Sequence, residues 1–466
     1  MPTNSISRRR LLAALPAISQ LPHSHATGAQ SSFELRFDLG AQSTTDFDPS
    51  AFNVVGEYDF DWLLAPEFSA MLDLGAASPG AIGGVRSFGI FTMGTREDLM
   101  PETVGVVWAD AATLPDFTLP FAALEALTGR GLVPFVSLGF FPSAVSSSPI
   151  APPPDFALWQ ELVEQFFKAL IDDKRFGQDA IATWHFEVWN EPNEGRFWSG
   201  SFDDYLRLYR ATSDAVARSG AHIRLGGPAI AYKPEASPDD GPATMRRFLD
   251  FLHASPDVQC DFISYHRKGT VDASAPNPHR LRDAALEIAR LVADIVPERR
   301  AALTLINNEA DEKIGFETPY LPRMEPFAAS WLTTLATTHT TLSAETGVRF
   351  EAMQDNLNLQ LMESPFDGRR SIYTFLDPAD RANLVKTSGA AWYDLLPFLD
   401  GKHVPPLDSG MLFPESDLHA LCVTSPYSTA LLSTWHPLGE TQEPKRISIA
   451  LQGVDWPNVN VVEWRI

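Results

Sequence analysis

Two glutamates stand where this chain could do chemistry. Glu191 follows the apolar run Ile181-Ala-Thr-Trp-His-Phe-Glu-Val-Trp-Asn190, and Glu309 follows Leu303-Thr-Leu-Ile-Asn-Asn308. Each run has the length and composition of a buried strand, so each carboxyl is expected just past a strand end. Two carboxyls facing each other across one gap are what cleavage of a glycosidic bond requires. One donates a proton to the leaving oxygen and the other meets the developing sugar cation. Most glutamates are ordinary surface charges, and either residue alone would carry little. Together, in such apolar settings, they point to catalysis. Pro192 ends the strand beside Glu191, and Asn190 offers an amide to a sugar hydroxyl. Trp189 and Trp184 are expected to wall this carboxyl and raise its pKa, so Glu191 is assigned as general acid/base. Glu309 is then the nucleophile. His185 and His266 come with no ligand cluster and read as core histidines, so no metal and no other cofactor is expected. Asp311 and Glu312 read as loop charges, with Asp311 alternatively orienting its neighbours.

Such residues need a frame that delivers strand ends to one face. Eight short apolar runs are candidate strands: Ala51–Val55, Gly84–Phe91, Leu132–Phe140, Thr183–Asn190, Ile223–Ala229, Asp261–His266, Leu303–Asn307 and Phe350–Met353. Between them lie stretches with apolar residues three and four apart, over Phe156–Ile171, Tyr205–Ala217, His279–Ile295 and Phe327–Thr338. Strands alternating with amphipathic helices predict an α/β fold, a (β/α)8 TIM barrel, whose catalytic groups gather at the carboxyl ends of the strands. Glu191 would end the fourth strand and Glu309 the seventh. After Leu399 the spacing changes to strict alternation, at Leu418–Val423, Thr429–Trp435, Lys445–Leu451 and Val459–Arg465, and Phe33–Asp38 alternates too. These predict a small antiparallel β-sandwich of carboxy-terminal strands joined by an amino-terminal one. The boundaries are a leader over 1–30, the joining strand over 31–45, the barrel over 46–400 and the sandwich over 401–466.

Composition narrows the partners. The chain has 466 residues, 44% of them apolar and 20% charged, enough for a large core. Its net charge of −23 opposes nucleic acid and anionic membranes as partners, and opposes polyanionic glycans unless the cleft carries its own cations. Cys260 and Cys422 have no zinc-site spacing and are two buried thiols, or one disulfide after export. Ser7-Arg-Arg-Arg-Leu-Leu12, with the short apolar stretch behind it, has the form of a twin-arginine export signal, which implies a periplasmic or secreted protein. The short sandwich is expected to pack on the barrel flank or to be covered by another subunit, which leaves an oligomer open.

Trp189-Asn-Glu-Pro-Asn193 resembles the acid/base signature of the 4/7 glycoside hydrolase barrels. Further segments resemble family 39, and within it the α-L-iduronidases: Arg224-Leu-Gly-Gly-Pro228, Phe262-Ile-Ser-Tyr-His-Arg-Lys-Gly269, Asn307-Asn-Glu-Ala-Asp311 with Gly315 and Phe316, then Asp355-Asn356, Pro365-Phe366 and Arg369. The resemblance implies a retaining hydrolase with Glu191 as acid/base and Glu309 as nucleophile. Asn190 would contact the sugar 2-hydroxyl, Asp355 and His266 would lie in the substrate subsite, and Lys268 and Arg369 would hold a substrate carboxylate with the backbone near Gly315 and Phe316. A uronate left unpaired in a partly dry cleft costs several kcal/mol, so local cations fit this role. Phe88 stands where the family usually has a histidine, and Phe316 where the iduronidases have a tryptophan. The implied substrate is a carbohydrate with a terminal uronate, an α-L-iduronide or a β-D-glucuronide. A neutral pentoside, as for a β-xylosidase, and a catalytically silent sugar-binding protein are the alternatives.

Overall fold

The computed structural model describes residues 32–454 and 462, apart from 41–45, 79, 94–106, 236–238, 271–275, 315–319, 356, 358–370, 378–379, 409, 411, 427 and 436–445. The expected leader, most of the expected strand Val459–Arg465, and the site candidates Gly315, Phe316 and Arg369 lie outside the described residues.

Two strands, β1 (Ser32–Asp38) and β2 (Asp46–Phe47), precede the barrel. The barrel strands are β3 (Val54–Asp59), β4 (Gly84–Phe88), β5 (Val133–Leu138), β6 (His185–Val188), β7 (Arg224–Ala231), β8 (Phe262–His266), β9 (Thr304–Asn307) and β10 (Arg349–Ala352). They pair in chain order as one parallel sheet. The sheet closes where Val55 bridges Gln354: the Gly56 N–H donates to the Gln354 carbonyl at 2.7 Å and the Leu357 N–H to the Gly56 carbonyl at 3.0 Å. All eight expected strands are present, shifted by a few residues at their ends. The first begins at Val54 rather than Ala51 because Pro49–Ala51 forms a 3-10 turn capped by Asp48.

The helices are α1 (Pro66–Ala76), α2 (Thr118–Thr128), α3 (Ala157–Asp172), the short α4 (Gln178–Ile181), α5 (Phe202–Ser219), α6 (Thr244–Ala254), α7 (Pro278–Ile295), α8 (Pro326–Thr346) and α9 (Ser388–Leu395). Apolar spacing sets which face they bury. On α3, Trp159, Leu162, Val163, Phe166, Phe167 and Leu170 all point to the sheet, each contributing about 1.5–3 kcal/mol by leaving water. On a strand, successive side chains alternate between faces. Phe186 on β6 turns outward onto Phe167, with ring centroids 4.9 Å apart. His185 and Glu187 turn inward. Phe135, Phe262, Ile306 and Met353 form a layer inside the barrel, where the His185 ring stacks on Phe135 at 5.0 Å. Burial, helped by Arg224 and Arg349, pushes the His185 pKa down to about 3, so it is a neutral core residue.

After the barrel come the hairpin β11 (Tyr373–Asp377) and β12 (Asp380–Lys386), then β13 (Gly401–His403), β14 (Leu418–Thr424), β15 (Thr429–Trp435) and β16 (Arg446–Gln452). Strands β15, β14, β13 and β2 form an antiparallel sheet. Leu35, Phe37, Val404, Leu418, Ala420 and Cys422 pack between it and the pair β1–β16. The amino-terminal strand joins the sandwich, but β1 pairs with β16 in parallel, Ser32 opposite Arg446. A wholly antiparallel sandwich was expected; a parallel pair needs a long crossover, and here that connection is the entire barrel. The sandwich packs on the barrel flank, where Thr337 and Ser330 of α8 meet His419 at 3.2 Å and Thr434 at 2.6 Å. Cys260 and Cys422 are both free thiols. No helix among the described residues is long and apolar enough to cross a membrane.

Helix α5 begins just after the loop carrying Glu191, and its first turn is tied by a capping box between Ser201 and Asp204. The Ser201→Ala variant is expected to lose about 1 kcal/mol of stability in urea titration while any turnover is unchanged.

Candidate active site

The inward parity of the strands places two opposite charges on the barrel axis. Arg86 of β4 and Glu187 of β6 are both fully buried. Arg86 Nε and Nη2 donate to Glu187 Oε2 at 3.1 and 2.8 Å, a fork on one carboxylate. The other Glu187 oxygen accepts from Asn308 Nδ2. Burial works against the Arg86 charge, but Glu187, Glu309 and Asp355 reverse that and hold it protonated. Arg86 Nη2 also donates to Asn190 Oδ1 at 2.9 Å, and Nη1 lies 3.4 Å from Glu309 Oε1.

Glu309 lies two residues past β9. Lys268 Nζ donates to its Oε2 at 2.7 Å and to Asp311 Oδ2 at 2.6 Å. Asp311 in turn accepts the Asp355 N–H at 3.1 Å. Asp355 sits against Gly56 so closely that a Cβ there would lie 2.1 Å from Asp355 Oδ1, which is why a glycine occupies that point of the barrel seam. Burial alone would raise the Glu309 pKa. The positive ends of His266, Lys268 and Arg86 outweigh it and hold the carboxyl well below the usual carboxylate range. Glu309 is therefore ionised, the state in which a carboxyl can act as a nucleophile.

Glu191 is aimed by an irregular backbone. Trp189 and Glu191 have φ of 71° and 44°, and Ala229 opposite has 52°, all in the left-handed region that side chains with a Cβ rarely adopt. Such strain persists only when neighbours over-determine it. Here the Trp189 N–H donates to the Leu138 carbonyl at 3.1 Å and the Glu191 N–H to Ala229 at 3.0 Å. The Ser137 hydroxyl donates to the Trp189 carbonyl at 2.8 Å. The Asn193 amide exchanges two bonds of 2.9 Å with the Ala231 backbone. The Glu191 carboxyl thus meets His266 Nδ1 at 2.8 Å, and the same nitrogen lies 3.3 Å from Glu309 Oε1. One oxygen of Glu191 and one of Glu309 come within 4.8 Å of each other.

Six of the expected residues therefore converge: Glu191, Glu309, Asn190, His266, Lys268 and Asp355. Two expectations need correcting, the tryptophan wall and His266 as a core residue. The Trp189 indole does not wall Glu191; it turns into an aromatic cluster with Phe140, Phe141, Trp159 and Trp198 and donates to the Phe197 carbonyl. Trp184 lies at the far end of the same strand, against Phe176 and Phe186. His266 is no ordinary core histidine, since it touches both carboxylates. Lys268 is engaged by two acids of the protein, Glu309 and Asp311.

Arg86, Glu187 and Asn308 belong to the site and were not anticipated. The signal was present: an arginine in Val85-Arg-Ser-Phe88 and a glutamate in His185-Phe-Glu-Val188 are lone opposite charges in apolar strands, and a buried charge needs a partner.

The chain is similar to known proteins over its barrel. Residues 96–372 match the model of "Glycosyl hydrolases family 39". A β-xylosidase of Caldicellulosiruptor saccharolyticus is 33% identical over 157 residues, 32% of this chain and 30% of that protein. Human α-L-iduronidase is 28% identical over 221 residues, 45% of this chain and 32% of that protein. The alignments thus span about a third of each curated relative. Among solved structures, a bacterial orthologue of human α-L-iduronidase superposes with a TM-score of 0.70 at 18% identity, covering 90% of this chain and 68% of that one. A family 39 β-xylosidase from Caulobacter crescentus superposes with a TM-score of 0.66 at 18% identity, covering 91% and 84%.

Because Lys268 helps hold Glu309 ionised, the Lys268→Met variant raises the Glu309 pKa. The acid limb of its kcat/KM profile, recorded on any aryl glycoside that the protein turns over, is expected to move to higher pH.

Proposed function

The chain belongs to family 39 of the glycosyl hydrolases, and we propose that it is a retaining glycosidase acting on a terminal uronic acid residue of an acidic glycan, an α-L-iduronide or a β-D-glucuronide. One observation carries the retaining reading: the Glu191 and Glu309 oxygens approach within 4.8 Å. Retaining enzymes hold their carboxyls about 5–5.5 Å apart, and inverting ones leave about 6.5–9.5 Å for a water. In the first half-reaction Glu191 gives its proton to the leaving oxygen, the bond from that oxygen to the anomeric carbon breaks, and Glu309 forms an ester to that carbon. In the second, Glu191 takes a proton from water, the water oxygen bonds to the anomeric carbon, and Glu309 is released as carboxylate.

The uronate preference rests on Lys268 and Arg369. Lys268 is already shared by Glu309 and Asp311. A substrate carboxylate therefore needs a second cation, the role given to Arg369. A neutral β-xyloside is the second reading. It is favoured by that engagement of Lys268, and by the higher identity of the β-xylosidase relatives, 33% and 31% against 28% for the human iduronidase. Export through the amino-terminal twin-arginine segment is part of the proposal, and places the enzyme where extracellular glycan fragments reach it.

Two experiments test this. A 2-fluoro glycoside is expected to leave covalent mass on the Glu309 peptide, and Glu309→Ala to abolish turnover. An unlabelled protein would instead be a silent sugar binder. In a panel of aryl glycosides, the uronide is expected to be the better substrate, and Lys268→Met and Arg369→Met to raise KM for it selectively. Equal efficiency on xyloside and uronide, with both variants indifferent, would overturn the uronate assignment.

A further inference from the structure

His266 touches both candidate catalytic carboxyls and Arg86. Its Nδ1 is 2.8 Å from Glu191 and 3.3 Å from Glu309, and its Nε2 is 3.3 Å from Arg86 Nη2. It is 3% exposed and projects inward from the end of β8. An imidazole nitrogen can donate or accept, according to where its hydrogen sits. A guanidinium can only donate. The two Nη2 hydrogens go to Glu187 and Asn190, but the positive edge of the guanidinium still faces Nε2 at 3.3 Å, which favours the lone pair on Nε2 and the hydrogen on Nδ1. Adding a second proton would aim an N–H at a guanidinium that is itself fixed by Glu187 and Asn190. The Nδ1–H is thereby turned toward the gap between the two carboxyls.

We propose that His266 is a positioning residue whose single Nδ1–H serves the two catalytic carboxylates in turn. The inference rests on the retaining reading above, which states where charge goes. In the free enzyme Glu309 is the anion and Glu191 carries the proton. In the glycosyl-enzyme Glu309 is an ester and Glu191 is the anion. A hydrogen bond to an ionised carboxylate is about twice as strong as one to a neutral acceptor. In the free protein the N–H is shared between the two, 2.8 Å from Glu191 and 3.3 Å from Glu309; the charge on Glu309 draws it there before glycosyl transfer, and the charge on Glu191 draws it back afterwards. The ring moves little, because both oxygens lie within 3.3 Å of the same nitrogen. No proton leaves the imidazole in either half-reaction. The proton that shuttles is the one on Glu191, given to the leaving oxygen and recovered from water.

The groups around the ring set the sign of the effect. Glu191 and Glu309 face Nδ1 and Arg86 faces Nε2. Glu187, Lys268, Asp311 and Asp355 complete the charges through Arg86 and Glu309. A donor to an ionised carboxylate lowers that carboxyl's pKa, so removing the donor raises it. The acid limb of kcat/KM belongs to Glu309 and the basic limb to Glu191 in the free enzyme. Loss of the N–H thus moves both limbs to higher pH.

The test uses the full chain with His266→Phe, which keeps a ring and has no donor, and His266→Gln, which keeps an N–H. The probe is 4-nitrophenyl β-D-xyloside or 4-methylumbelliferyl α-L-iduronide, whichever the wild type turns over. The Phe variant is expected to lose about a hundredfold in kcat/KM, the effect of deleting one preorganised donor, with both limbs moved up. The Gln variant is expected to bring the limbs back toward their wild-type positions. Limbs that stay in place in both variants would reduce His266 to a packing residue and overturn the proposal. Nitrogen-15 NMR of the wild-type imidazole, with His266→Gln to assign the signal, gives a second arm that needs neither turnover nor a folded Phe variant. Hydrogen on Nδ1 and a bare Nε2 are expected; hydrogen on Nε2, or an imidazolium across the working pH range, would overturn it. Absent turnover in the wild type would mark failure of the glycosidase reading instead, and the NMR result would still decide the tautomer.

Discussion

Arg86 is a full positive charge with no exposure to water, placed on the axis of an apolar barrel. Desolvating such a group costs several kcal/mol, and removing its partner typically destabilises a protein by about 3–5 kcal/mol. The forked contact with Glu187 meets that cost, and it does more than neutralise. The remaining donors of the guanidinium are fixed in its plane, so once Glu187 holds one edge the others are aimed. They reach Asn190 and Glu309, and the edge of the guanidinium lies 3.3 Å from His266 Nε2. Residues on or just beyond β4, β6, β8 and β9 are thereby registered to one rigid ion.

From this follows the difference between the surroundings of the two glutamates. Glu309 is surrounded by positive ends from Arg86, Lys268 and His266, and is kept ionised. Glu191 touches only His266 among them, at 2.8 Å, and stands farther into solvent with 13% of its side chain exposed. The two carboxyls differ because their surroundings differ, which is how paired acids come to play opposite roles. The left-handed backbone at Trp189 and Glu191 is the local cost of swinging a residue past the strand end toward its partner. It is sustained by the Asn193 clamp and by the aromatic bed under Trp189.

The sandwich contributes by position rather than by chemistry. It buries Leu35, Phe37, Leu418 and Cys422 in a small core of its own and leans on α8. That helix also carries Trp331, whose indole donates to the carbonyl of Ala310, next to Glu309, at 2.9 Å. Packing on the flank of α8 therefore supports the loop that bears Glu309 from outside the barrel.

The barrel was legible because its signals are local: a period of two in the strands, spacings of three and four in the helices, and Pro192 where a strand must stop. Glu191 and Glu309 were legible for the same reason, as carboxyls abutting buried runs. The parallel pairing of β1 with β16 was not, since nothing in either segment specifies the direction of a partner several hundred residues away. Nor was the fate of Trp189: its neighbours in sequence suggested a wall for the acid, while the positive φ at that residue turns the indole the other way. The sequence by itself determined which residues are charged within apolar strands and which strand ends carry acids. Tertiary structure alone decided that Arg86 meets Glu187, that Lys268 is shared between Glu309 and Asp311, and that one histidine nitrogen lies between both glutamates. The reason is physical: burial and electrostatic pairing depend on distance through space, and only closure of the barrel sets that distance.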